Sequence, residues 1–308
     1  MNQFKVNVNG VLLLDKPKGL SSNKALVKVK KIYNAKKAGH AGTLDPLATG
    51  VLPILLGEAT KFAMFGLNSD KRYLAYIALG TKTSTGDSEG EIIDKKYFQV
   101  DVQQINYVLE SVLGEQFQLP PMYSALKYRG KPLYKYARDG IEVSRKKRIV
   151  FIRSIRLIAL KNSVMTIDVT CSKGTYIRSL SEQIGEKLGG CAHLMDLRRT
   201  EVGASTIEES VSLEKLETLF NNSPENLKLE LRPVEFFIAN LPSVSLKENE
   251  RKIFLHGQSL RLGFKENKSE SKISYRVYDD YGVFLGTGEL NLDGTLKPIR
   301  LISQQTFN

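Results

Sequence analysis

The sequence predicts an α+β fold: a larger part built on a mixed or antiparallel sheet and interrupted by a basic insertion, then a small β-rich unit at the C-terminal end. Three observations predict it. Helical and strand-like patterns are interspersed irregularly, without the strand–helix–strand alternation of a parallel sheet. Residues 149–160 and 164–171 read as strands on either side of the turn Lys161-Asn-Ser163, as antiparallel partners would. Beyond residues 236–241 the pattern changes to short alternating strands at 272–278, 283–286 and 296–301, which divides the chain into 1–237 and 238–308.

Residues 11–15 are a short apolar strand closed by the turn Lys16-Pro-Lys-Gly19. A helix follows, capped by Ser21 or Ser22, with Leu26, Val27, Val29, Ile32 and Tyr33 as its apolar face and Lys24, Lys28, Lys30 and Lys31 making the remainder basic. Next comes Gly39-His-Ala-Gly-Thr-Leu-Asp-Pro-Leu-Ala-Thr-Gly50, which holds one carboxylate, Asp45, and one imidazole, His40. Its glycines admit backbone angles closed to other residues, and Pro46 pushes Asp45 toward an extended conformation, so the stretch is a shaped loop that presents side chains.

Residues 51–56 suit a buried strand, 58–67 a short helix and 72–79 an alternating strand. The polar run 80–90 lacks the spacing of a calcium loop and reads as exposed. Residues 102–113 have helical periodicity. Residues 118–140 interleave tyrosines with basic side chains, as a surface contacting RNA does, and the flanks Pro120-Pro121 and Arg145-Lys-Lys-Arg148 mark a mobile insertion at about 120–149. Ser172-Lys-Gly-Thr-Tyr-Ile-Arg178 leads into a helix through residue 188, with Arg178 in its first turns, and 197–203 form a further strand. The charged run 265–272 reads as a solvated loop.

With 45 Lys and Arg against 33 Asp and Glu, the formal charge of +12 favours a polyanionic partner such as nucleic acid. Cys171 and Cys191 are too few for a disulfide framework, and Cys191-Ala-His193 lacks the further ligands of a zinc site, so no metal is expected. No apolar stretch reaches the length of a signal peptide core or a membrane span, so the expectation is a soluble cytoplasmic protein.

Taken together, Leu14-Asp-Lys-Pro-Lys-Gly19, Ser21-Ser-Asn23, the 39–50 loop, Lys71-Arg-Tyr73, Ser172-Lys-Gly-Thr-Tyr-Ile-Arg178 and Leu197-Arg-Arg199 resemble the bacterial tRNA pseudouridine-55 synthases, in family order over nearly the whole chain. The resemblance implies a pseudouridine synthase catalytic domain at 1–237, with the insertion as the thumb that grips an RNA stem-loop, and an RNA-binding, PUA-like domain at 238–308. It implies isomerisation of a uridine in the T loop of tRNA, without cofactor or metal. Asp45 is then the catalytic carboxylate and Arg178 its partner, Tyr73 stacks on the extruded base and Leu197 walls the pocket; His40, at the mouth of the loop, is the candidate to brace the disrupted stack, and Lys16, whose role the resemblance leaves open, is expected to support the loop or a phosphate.

The chemistry agrees with that assignment. Moving a ribose from a ring nitrogen to a ring carbon adds and removes no atoms and needs a group acting at ribose or base, which an ionised carboxylate can be. An ordinary aspartate, with a pKa of about 3.9, is already charged at neutral pH, and an adjacent arginine would keep it so. Two other readings compete: a noncatalytic RNA-binding or RNA-folding module, which the charge and the basic insertion would also suit, and a glycosidase-like hydrolase, whose usual second carboxylate is missing from the loop. The expected partner is the T stem-loop of tRNA, with no obligatory protein partner and a monomeric state.

Overall fold

The computed structural model describes residues 6–262 and 272–303, so the solvated loop expected at 265–272 lies outside the described residues but for Lys272, which opens a strand. A mixed ten-stranded sheet organises the larger part. Along its main path run Val211–Ser212, Gly10–Lys16, Thr49–Leu56, Ala192–Val202, Lys71–Leu79, Val164–Cys171, Arg148–Lys161 and Gly114–Gln118. Two pairings are parallel, Gly10–Lys16 with Val211–Ser212 and Thr49–Leu56 with Ala192–Val202.

Burial explains the two kinds of strand pattern. Thr49–Leu56 is buried at every position but the first, because its two faces pack into different clusters: Leu52, Ile54 and Leu56 into the main core, Leu55 with Val11, Leu13, Ala41 and Ala59 into a second one. A strand covered on both sides reads as a continuous apolar run. Lys71–Leu79 instead alternates strictly, with Lys71, Tyr73, Ala75, Ile77 and Leu79 turned inward and the residues between them half-buried. The main core is closed by helices Ser22–Ile32, Val102–Ser111, Ile177–Lys187 and Leu213–Asn222.

Ser21 caps the first of these, accepting a bond from the Lys24 N–H at 3.2 Å. Its buried stripe is Ser22, Ala25, Val29 and Ile32, whereas Val27, expected on the apolar face, is 57% exposed. The spacing 22, 25, 29, 32 follows the helical period, and Val27 falls between its members.

The insertion leaves and rejoins the sheet at one point, since Gln118 pairs with Arg148. Between them lie a short hairpin, Lys127–Tyr128 with Lys131–Pro132, and the helix Leu133–Arg138. Its aromatic rings carry cations: Arg129 over Tyr128 at 5.3 Å, Lys131 over Tyr136 at 4.7 Å and Arg138 over Tyr134 at 5.5 Å.

The run 80–90 is not the exposed loop expected from its composition. Thr81–Thr83 pairs with Ile92–Lys95, and Thr83 and Asp87 are buried. Its polar residues bond one another and turn inward: the Thr83 hydroxyl donates to the Asp87 carbonyl at 2.7 Å, and the Glu89 N–H donates to the Asp87 carboxylate at 3.1 Å.

The C-terminal part forms a separate five-stranded sheet in the order Ser243–Leu246, Lys272–Asp279, Phe284–Asn291, Thr295–Leu301, Leu260–Arg261, with its own core. The strand expected at 283–286 runs on to Asn291, and the helix Glu248–Leu255, which the sequence pattern did not reveal, packs on this sheet. A seam joins the two parts. Phe62, Ile238 and Ile302 are buried together, Phe62 lies 5.6 Å from Phe284, and Lys61 Nζ donates to the Leu301 carbonyl at 2.7 Å. Truncating Phe62 to alanine is expected to cost about 3–5 kcal/mol, the range for a fully buried aromatic. Urea denaturation checks this, and a loss below ~1 kcal/mol would show that the seam carries little of the stability.

Candidate active site

The 39–50 stretch is a hairpin connection. Ala38–His40 pairs with Thr49–Leu56, and the chain between them turns at Asp45, whose carbonyl accepts from the Ala48 N–H at 3.1 Å with Pro46 next in line. This is a four-residue turn with Asp first and Pro second, where each residue is favoured. Leu44, Leu47 and Ala48 are buried and hold the turn down. Ser22, from the neighbouring helix, brackets it: its hydroxyl donates to the Leu44 carbonyl at 2.9 Å and accepts from the Leu44 N–H at 2.8 Å. Lys16 lies beneath, wholly buried, with Nζ donating to the carbonyls of Pro17, Leu20 and Pro46 at 2.8, 2.7 and 3.4 Å.

So fastened, the turn leaves the Asp45 carboxylate at the edge of a cavity of about 320 Å³, lined also by Tyr73, Leu197, Arg178, Lys71, Arg199, Tyr176 and Ser124. Arg178, only 3% exposed, places Nε 3.0 Å from Asp45 and 3.6 Å from Asp87. The rest of its guanidinium donates to the carbonyls of Thr85 at 3.1 Å and Tyr123 at 2.7 Å. One side chain from the first turn of a helix thus joins three loops that are distant in sequence.

The electrostatics differ from the sequence expectation. Burial pushes the Asp45 carboxyl above the ordinary aspartate range; Arg178 opposes that rise, Asp87 adds to it, and Lys16 opposes it. Burial also draws the ammonium groups of Lys16 and Lys71 down to about 8. Both lysines remain mostly charged at neutral pH, and Lys16 joins Arg178 in opposing the rise of Asp45.

Four of the residues singled out in the sequence, Asp45, Arg178, Tyr73 and Leu197, line one cavity. Tyr73 and Leu197 come from adjacent strands, Lys71–Leu79 and Ala192–Val202, both facing inward. Two others do not line it. His40 sits half-buried on the hairpin strand, with Nδ1 buried and unpartnered, and burial lowers its pKa. Lys16 is occupied by backbone carbonyls, so of the two roles considered for it the geometry carries support of the loop and not contact with a phosphate. Sequence reasoning missed Asp87, hidden in a run of ordinary loop composition, and Ser22, which it had weighed only as a cap. Both cysteines are buried free thiols, and among the described residues no cluster of three or more His, Cys, Asp or Glu is placed to hold a metal. No helix among them is long and apolar enough to cross a membrane.

A mixed sheet thus bears an aspartate on a fastened loop, an arginine against it, and a tyrosine and a leucine walling one cavity, the grouping that the resemblance to pseudouridine synthases leads one to expect. Three family models agree along the chain: TruB family pseudouridylate synthase, N-terminal domain, over 30–177; tRNA pseudouridylate synthase B, C-terminal domain, over 178–239; and pseudouridine synthase II TruB, C-terminal, over 242–302. A protein of Chromobacterium violaceum named tRNA pseudouridine synthase B is 47% identical over 300 residues, covering 97% of this chain and 96% of its own. One of the same name from Stutzerimonas stutzeri is 44% identical over 306 residues, covering 99% of each. Among solved structures, an H/ACA RNP bound to a substrate RNA containing 2'-deoxyuridine matches at a TM-score of 0.72 and 24% identity, over 96% of this chain and 86% of that one, a likeness of fold. The chain belongs to the TruB family of pseudouridylate synthases.

The bracket on Leu44 gives a direct test of how the loop is held. Ser22→Ala strands a buried N–H and a buried carbonyl and is expected to cost about 1–3 kcal/mol in urea denaturation. A neutral result would mean that Leu44 finds other partners and that the loop does not depend on this helix.

Proposed function

We propose that this chain isomerises a uridine in the T loop of tRNA, position 55 in tRNA numbering, to pseudouridine, with Asp45 as the catalytic carboxylate. The observation that carries the reading is the Asp45–Arg178 ion pair at 3.0 Å, at the edge of a cavity walled by Tyr73 and Leu197. Names of close relatives supply the substrate class, tRNA. The cavity, about 320 Å³ and open on one side, suits a single extruded nucleotide and not a stacked strand, so the target base has to leave its stack.

The reaction breaks the bond between ribose C1' and base N1 and makes one between C1' and C5; the C5 proton is lost and N1 gains one, so the composition is unchanged. Attack on the ribose, addition to the base and deprotonation of the sugar all use the same ionised carboxylate. When the first bond breaks with its electron pair on the base, negative charge develops in the cavity, where Arg178 and Lys71 are already in place; fixed charges that need no reorganisation stabilise such a state most. Tyr73 offers a ring for the extruded base to lie against and Leu197 an apolar wall. His40, near the loop but outside the cavity lining, is suited to the emptied stack. Beyond the cavity, the exposed Lys127, Arg129, Lys135 and Arg138 of the insertion suit phosphates of the stem-loop, and residues 238–308 act as the second, PUA-like RNA-binding domain. The protein works as a soluble cytoplasmic monomer without a partner chain.

Purified protein, incubated with unmodified tRNA transcript and mapped by chemical labelling, is expected to modify the T-loop uridine alone. Asp45→Asn should bind the tRNA and leave it unmodified. A wild type that binds yet alters no uridine would make this an RNA-binding module instead.

The acidic limb of the single-turnover rate tests the site's electrostatics. Activity needs the ionised carboxylate, so the rate falls as pH drops through the Asp45 pKa, which lies above the ordinary 3.8. Asp87 adds to that rise, so Asp87→Asn should move the limb to lower pH. A limb that stays or moves upward would remove Asp87 from the balance.

Affinity for tRNA should fall steeply with salt, each phosphate contact adding about −0.7 to −0.9 to the logarithmic slope. A flat response measured by filter binding would rule out the basic surface.

A further inference from the structure

Arg199 is 1% exposed, the largest of the fully buried side chains among the described residues, and it carries a charge. Its position in the sheet is particular. It lies in the Ala192–Val202 strand directly between two others, its Cα paired with Gly50 on the parallel side and with Tyr73 on the antiparallel side. The strand that receives the catalytic loop and the strand that presents Tyr73 therefore meet at this residue.

The side chain then closes the loop across its base. Nε donates to the Val51 carbonyl at 2.7 Å, just beyond the loop, while Nη2 and Nη1 donate to the carbonyls of Gly42 at 3.1 Å and Thr43 at 3.4 Å, just before the Asp45 turn. One planar fork spans both arms, a geometry that five fixed donors allow and a single ammonium does not. Gly50 shows how tightly strand and loop fit: its φ is +103°, and a Cβ there would stand 2.1 Å from the Arg199 carbonyl oxygen. Arg199 also borders the cavity and faces the Tyr73 hydroxyl, drawing that group's pKa down against the upward push of burial.

We propose that Arg199 is a positioning residue for the isomerisation: it staples the two arms of the 41–50 loop and so fixes the Asp45 carboxylate relative to the Tyr73 ring. The proposal rests on the function given above. It acts through geometry, since no ion pair joins it to a carboxylate among those the described residues show. Two other side chains, Ser22 on Leu44 and Lys16 on Pro46, hold the loop's middle; among the side-chain hydrogen bonds of the described residues, those of this guanidinium alone reach both arms.

The test compares Arg199→Gln and Arg199→Lys with wild type on tRNA transcript, reading the single-turnover rate at saturating enzyme, tRNA affinity by filter binding, the acidic limb of the rate profile, and thermal unfolding. Expected is a fall in rate of about a hundredfold or more for Arg199→Gln, with tRNA affinity within about threefold. The acidic limb should not move, because Arg178 and Asp87 are untouched. Arg199→Lys, which keeps the charge and the stem but not the fork, should stay within about tenfold of the glutamine variant, whereas full rescue by lysine would show that charge and not bracing is what counts. A rate within threefold of wild type, or a loss confined to affinity, overturns the proposal. So does failure of both variants to fold, which would make Arg199 a core-building residue. An inactive wild type would instead overturn the assigned function, so the two failures are distinguishable.

Discussion

A buried arginine between two carboxylates is the interaction on which the rest of this site depends. A guanidinium at 3% exposure is tolerable only if its charge is met, and Arg178 sets Nε against Asp45 and Asp87 while its two terminal nitrogens donate to the carbonyls of Thr85 and Tyr123. Four segments are obliged to converge: the catalytic loop, the turn at 85–87, the base of the insertion and the first turn of the Ile177–Lys187 helix. The polar run 80–90 folds inward because of it. Asp87 is the second carboxylate against that guanidinium, and its neighbours Thr83, Thr85 and Glu89 hold it with their own donors.

The other buried cations follow a different rule. Lys16, Lys71 and Arg199 are met by backbone carbonyls: Lys16 by those of Pro17, Leu20 and Pro46, Lys71 by Gly66, Leu67 and Ser69, Arg199 by Gly42, Thr43 and Val51. A carbonyl satisfies a donor without neutralising its charge, so the positive potential of these groups is left for the cavity. Among them, Lys16 opposes the rise that burial and Asp87 impose on Asp45. The same backbone contacts brace irregular stretches that no strand or helix orders, and support and electrostatics thus come from single residues.

How much of this was legible in the sequence follows from the range of the interactions. The strands Gly10–Lys16 and Thr49–Leu56 announce themselves as apolar runs, and the shaped loop between glycines was visible around Asp45, because these features are local. Asp87 was not, since nothing near it in sequence distinguishes a carboxylate facing an arginine 91 positions away from one facing water. Val27 was misplaced because a helix of eleven residues leaves room for two readings of its buried stripe, and only the packing selects one. For Lys16, the motif pointed to importance and left open what kind. The Glu248–Leu255 helix escaped because a short charged segment shows little periodicity.

The insertion shows how a segment with a separate task is attached without disturbing the chemistry. It departs and returns at a single strand pairing, Gln118 with Arg148, so the sheet is continuous beneath it. At that root the Gln118 amide donates to the Tyr176 carbonyl at 3.0 Å and accepts from the Tyr176 N–H at 2.7 Å, Arg145 donates to the Pro120 carbonyl at 3.0 Å, and Arg178 holds Tyr123. Farther out, the hairpin and the helix Leu133–Arg138 bond chiefly within the insertion itself, with Lys131 to Asp139 at 2.6 Å and the Tyr136 hydroxyl to the Tyr128 carbonyl at 3.2 Å. The fixed root keeps Arg178 in register with Asp45. The tip reaches that root through the Tyr134 N–H on the Ser124 carbonyl at 3.1 Å, so the distance from guanidinium to carboxylate is set chiefly at the root.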